Sequence, residues 1–210
     1  TTEIYTLSLH DALPILVWID EQCTVKPSLS STSGSLDWGG TTGQDCDNTG
    51  ASYGYATEEA LMAAYHVTMA KLLAYSYLPT NTWLNDPLRI MVNISGGYTC
   101  NAAFSDNTYL KLYDRQGDPE CNNLGLNAGI LVHETGHGLD HYDGLEVVDK
   151  GSSEVYADTM DLLYLHNSCH AEYAWFVDCD GYGNTCLDCS GIREMDYAMK
   201  TRGIPSTPKN

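Results

Sequence analysis

Ile130-Leu131-Val132-His133-Glu134-Thr135-Gly136-His137 is the stretch on which the reading of this 210-residue chain turns. The apolar run ahead of His133 predicts a buried helix. Residues four apart on a helix differ by about 40° in direction and stand one turn apart, so His133 and His137 can converge on one Zn2+ at roughly 2.0 to 2.1 Å. Glu134 points off that axis, which suits it to take a proton from a water at the ion rather than to ligate it. Chance would supply an HExxH string in about one in a hundred chains of this His and Glu content. The bland alternative is an ordinary histidine pair on an amphipathic helix.

Working outward, the helical pattern around the motif covers roughly Leu126 to Tyr142, and another begins at Ser152 or Ser153 and runs through Leu165. The second pattern puts Glu154 and Asp158 four apart. Glu154 is the candidate third ligand, and Asp158 is placed to hydrogen-bond the far nitrogen of a zinc histidine. Without the histidines, the same acids would read as a capped helix start near the positive end of the dipole. A rival third ligand is Asp143, six residues after His137. That arrangement wants a turn glycine at position 140, where this chain has Asp. His141 extends the 133, 137 face, but three ligands stacked over about 12 Å of one helix cannot surround one ion.

Upstream, Thr57 offers an N-cap, Glu58 and Glu59 suit a helix start, and Leu61, Met62, Tyr65, Met69, Leu72 and Leu73 recur at helical spacing as far as Leu78, before Pro79. Leu88 to Ile94 and Thr108 to Tyr113 alternate as strands of one sheet, with a short strand at Leu16 to Ile19. Residues 23 to 55 read as loops, and the tail beyond Cys169 as irregular and cross-linked.

The 28 acidic against 10 basic residues give a net charge of -18, which argues against nucleic acid and anionic membrane as partners. No apolar run approaches the 18 or so residues of a membrane span. Eight cysteines point to disulfides and an exported location. Cys169, Cys179, Cys186 and Cys189 also admit a structural zinc site, the less favoured reading because the other cysteines need partners too. Asp178 to Asn184 superficially suggests a Ca2+ loop, but Tyr182 fills its fifth position and no Glu stands at the twelfth. Residues 1 to 15 lack the order of a signal peptide and resemble a translated sequencing-adapter fragment, so they are set aside as a non-native tail, leaving 16 to 210 as a single domain.

HExxH followed on another helix by Glu154-Val155-Tyr156-Ala157-Asp158 resembles the gluzincin metallopeptidases, the thermolysin-like clan, over about residues 57 to 166. The resemblance implies an α+β zincin-like domain with two lobes. The upper lobe, about 16 to 142, would carry a mixed sheet with the active-site helix above it, and the lower lobe, about 143 to 210, would be helical and disulfide-rich. It further implies one catalytic Zn2+ held by His133, His137 and Glu154, with Glu134 as base and Asp158 behind a histidine. The activity implied is that of a secreted, monomeric endopeptidase acting on a peptide or protein. Asn101-Ala102-Ala103-Phe104 is similar to the clan's substrate-binding edge strand, an edge being the device that grips an extended peptide. No Tyr stands where the clan sets its transition-state donor. Tyr142, Tyr156, His166, His170 and Arg193 remain open for that work. Two other functions stay open: a non-catalytic, disulfide-rich extracellular binding domain, and a zinc hydrolase of non-peptide amides.

Overall fold

A computed structural model describes residues 16–22, 57–105, 108–115, 121–144, 150–174 and 189–196. The N-terminal 15 residues, the 23 to 55 loops, the Ca2+-like segment and four cysteines (Cys23, Cys46, Cys179, Cys186) lie outside them. The elements run β1 (Val17–Glu21), α1 (Glu58–Tyr77), β2 (Leu88–Ile94), β3 (Ala102–Ser105), β4 (Tyr109–Tyr113), α2 (Ala128–Tyr142), α3 (Lys150–Leu165), β5 (Cys169–His170) and β6 (Arg193–Glu194). The protein is therefore α+β.

Strands β1 to β4 form a mixed sheet in the order β1-β2-β4-β3. β2 pairs in parallel with both β1 and β4, and β3 runs antiparallel to β4 at the edge. Alternation decides which face is covered: Val17, Ile19, Leu88, Ile90, Val92, Leu110 and Leu112 are buried against α1 and α2. The β2–β4 register slips between Met91 and Ile94, where Asn93 takes a φ of 58°, a left-handed conformation that Asn tolerates better than most side chains.

Thr57 caps α1 as its sequence suggests, accepting from the Ala60 N–H. The buried face of α1 is not the large apolar set, however. Ala60, Ala63, Ala64, Val67, Ala70 and Ala74 are buried, while Tyr65 is exposed and Leu61, Met62, Met69, Leu72 and Leu73 are only half-buried. Small side chains let the helix backbone approach the sheet closely, and the larger residues flank the contact. α2 starts at Ala128 rather than Leu126, because Asn127 caps it through the Ile130 N–H and residues 124–126 turn as a 3-10 helix. α3 begins at Lys150, ahead of the expected Ser152 or Ser153.

Two disulfides cross-link the described residues, Cys100–Cys121 and Cys169–Cys189. They indicate a non-reducing compartment. Since Cys169 and Cys189 are bonded to each other, the four-cysteine structural zinc site loses two of its thiolates. Among the described residues no helix is long and apolar enough to cross a membrane.

Candidate metal centre

α2 carries the HExxH side chains on its buried face, and α3 lies against it so closely that only glycine fits at position 136. A Cβ there would stand 2.7 Å from the Ala157 Cα. That approach turns Glu154, one turn before Asp158 on α3, toward the two histidines. His133 Nε2 and His137 Nε2 are 3.1 Å apart, and the Glu154 carboxylate lies 3.4 Å from the first and 3.6 Å from the second. Four ligands around a zinc at about 2.0 to 2.1 Å stand about 3.3 Å from one another, so the three donors fit one face of such a tetrahedron.

The other ring nitrogens are occupied. His133 Nδ1 meets Asp158 Oδ1 at 3.0 Å, and His137 Nδ1 meets Ser153 Oγ at 3.0 Å. A carboxylate only accepts, so Asp158 holds the proton on Nδ1 of His133 and turns its Nε2 inward. Two inward imidazole nitrogens at 3.1 Å require a proton or a cation between them. The donor set fits a divalent metal ion of the zinc type.

Charge within the group follows from these contacts. Burial pulls the His133 imidazole down, but hydrogen bonds to Asp158 and Glu154 and the Glu134 charge outweigh it and raise it to about 9. Burial lowers His137 below the ordinary imidazole value. Glu154 is held at about 2, chiefly by its hydrogen bond to His133. Burial pushes Asp158 up, yet its bonds to His133 and Arg193 leave it well below the usual carboxylate range.

Glu134 is buried, and its Oε2 accepts the Phe104 N–H at 2.7 Å. This bond ties the expected base directly to β3, whose other edge is already paired to β4. Asn101, whose carbonyl accepts the Tyr113 N–H, stands just ahead of that strand, and Ala102 begins it.

The remaining predicted residues divide. Arg193 enters the centre: its guanidinium grips Asp158 through Nε to Oδ2 (2.8 Å) and Nη2 to Oδ1 (2.6 Å), and reaches Glu154 Oε2 at 3.2 Å. His170 is buried with its ring 4.8 Å from that of His133 and its Nδ1 on Asp161 at 2.7 Å, so it braces the far side of the histidine. His133, Asp158 and His170 form a second cluster of metal-binding type, but Arg193 already supplies the positive charge there. Tyr142 stacks on Trp83 at 5.4 Å, and Tyr156 packs partly buried against the core, where burial first and then the charges of Asp143 and Asp140 push its hydroxyl above the ordinary value. His166, at a φ of 54°, is exposed just past α3. Asp143 sits at the C-cap of α2, and His141 packs edge-on against Tyr142. Glu154, not Asp143, therefore stands beside the histidine pair.

Ser153, Asp161 and the Phe104 N–H are participants that the sequence reading does not assign. Asp161 follows Asp158 by three, so an acid stripe at 154, 158 and 161 is the signal that could have found it. The Phe104 contact has none, since it joins a backbone group to a residue thirty positions away. No protein-family model matches the chain, and no curated protein matches it.

Proposed function

We propose that this protein is a secreted zinc-dependent endopeptidase of the gluzincin type, with the two-lobed zincin arrangement that the clan implies. The observation carrying the reading is the convergence of His133, His137 and Glu154 beside a Glu134 that is bonded to the sheet's edge strand. A zinc ion bound by those three side chains would polarise a carbonyl and acidify a water.

The chain's own residues supply the rest. Phe104 engages Glu134 Oε2, so Oε1 is the oxygen left to take the proton of the attacking water and return it to the leaving amine. The outer edge of β3 offers backbone groups to an extended peptide, and its bond to Glu134 fixes the base relative to that peptide. Asp158 and Ser153 hold the histidine rings in the orientation that points Nε2 inward. Two disulfides agree with secretion.

The test is Glu134→Gln. The amide can still accept the Phe104 N–H but cannot act as a base, so zinc stoichiometry should stay at about one while hydrolysis of an unfolded protein falls by about 10²-fold or more. Full activity in that variant would refute the mechanism. Zinc binding without hydrolysis of peptides by the unmodified protein would favour a binding domain.

A further inference from the structure

The most constrained route into the metal centre comes from outside α2 and α3. Arg193 lies on β6, a strand whose pairing with β5 involves only Cys169 with Glu194 and His170 with Arg193. Backbone bonds from Ile192 N–H to the His170 carbonyl (2.9 Å) and from Met195 N–H to the Ser168 carbonyl (2.8 Å) complete its attachment. Cys189 is bonded covalently to Cys169, 20 residues earlier, immediately after α3 and its exit turn. Gly191 passes so close to that point that an added Cβ would overlap the His170 carbonyl oxygen and stand 2.9 Å from Cys169 Sγ. The disulfide thus presses the β6 strand onto the segment that follows α3, at the place from which a guanidinium reaches Asp158 and Glu154.

We propose that the Cys169–Cys189 disulfide is a tether that makes Arg193 a positioning residue for the metal centre. Arg193 acts through Asp158 and Glu154. Its fork fixes the plane of Asp158, which holds the His133 proton on Nδ1, and its Nη2 restrains Glu154 between the two histidines. Two opposing effects bear on metal affinity. A positive charge beside a dication repels it, and ordering two of the ligand side chains favours it. Arg193 makes two charge-assisted bonds to Asp158, which themselves cancel charge, so the ordering effect dominates. Lys at this position could satisfy one oxygen but not the fork.

The inference rests on the metal-site reading above, and the experiment separates the two. Zn2+ affinity is measured by chelator competition, and Co2+ is bound in parallel so that its visible absorption reports ligand geometry. Arg193→Gln should weaken Zn2+ binding about 10- to 100-fold and alter the Co2+ band. Cys169→Ser/Cys189→Ser should lose a comparable factor, Arg193→Lys should lie between, and the triple variant should be no weaker than Arg193→Gln alone, because both changes remove one interaction. Cys100→Ser/Cys121→Ser, which carries none of these contacts, should bind within about twofold of the unmodified protein. Unaltered or tighter Zn2+ binding in Arg193→Gln, multiplying losses in the triple variant, or an equal loss in the Cys100/Cys121 control would overturn the proposal. Absence of Zn2+ binding by the unmodified protein would instead overturn the metal reading. Should the Cys169/Cys189 variant not fold, hydrogen exchange on the unmodified protein decides: by linkage, Zn2+ should slow exchange at the Ile192 and Met195 amides more than at Tyr113, and equal protection would refute the coupling.

Discussion

Gly136→Ala tests the link between helix packing and the metal centre most directly. An alanine Cβ would stand 2.7 Å from the Ala157 Cα and 3.2 Å from both the Ala157 Cβ and carbonyl oxygen. Carbon atoms rest at about 3.5 to 4.0 Å, so α2 and α3 must separate by about 1 Å at that point. The obstructing atoms belong to a helix backbone and cannot swing aside. Ala157 lies between Glu154 and Asp158, and metal–ligand bonds tolerate about 0.2 Å, so the shift removes Glu154 from the donor set. Two energies oppose each other in stability: overpacking costs about 1 to 3 kcal/mol, while Gly to Ala within a helix returns about 1 kcal/mol. The expected signature is therefore a small net destabilisation of the metal-free protein, about 0 to 2 kcal/mol by urea unfolding, together with at least a tenfold loss of Zn2+ affinity. Adding Ala157→Gly should relieve only part of the loss, since the backbone of residue 157 still stands in the way. A variant stabilised by the full helix gain and binding Zn2+ as well as before would refute the reasoning.

Glu154→Ala should weaken Zn2+ binding more than Asp158→Ala, for which about 10- to 100-fold is expected, and Asp143→Ala should be mild; a reversed order of Glu154 and Asp143 would overturn the ligand assignment. Lys71, fully buried with its ammonium donating to the Trp83 carbonyl at 3.1 Å, is lowered to about 8 by burial, against the opposing charge of Asp86. The unfolded chain then binds more protons between pH 8 and about 10.5, so stability should rise across that window, by on the order of 3 kcal/mol, and the gain should be lost as pH falls through 8. In Lys71→Met that component of the pH dependence should vanish, and an identical slope in both proteins would show that Lys71 is not its source.

What could be read without coordinates concerns relations a few residues long. The HExxH helix, the Thr57 cap, the strands at Leu88 to Ile94 and Thr108 to Tyr113, and the i, i+4 spacing of Glu154 and Asp158 follow from helix and strand periodicity, which acts locally. Those same rules left Asp143 and Glu154 both eligible, because each lies within chain reach of His137. In the structure Glu154 is the one that stands beside the histidine pair, because the glycine at position 136 lets α3 approach α2, a distance that no periodicity encodes. The buried face of α1 likewise depended on the sheet beneath it: a helix with apolar residues on several sides turns its alanines inward only when a flat partner rewards close approach. Arg193 and the Phe104 N–H reached the centre through a disulfide-tethered strand and a sheet edge, each far from the motif in sequence. Local propensities set which elements form, but the directions in which the side chains of the candidate centre point are decided by how closely backbones can pack, and that is a property of the assembled fold.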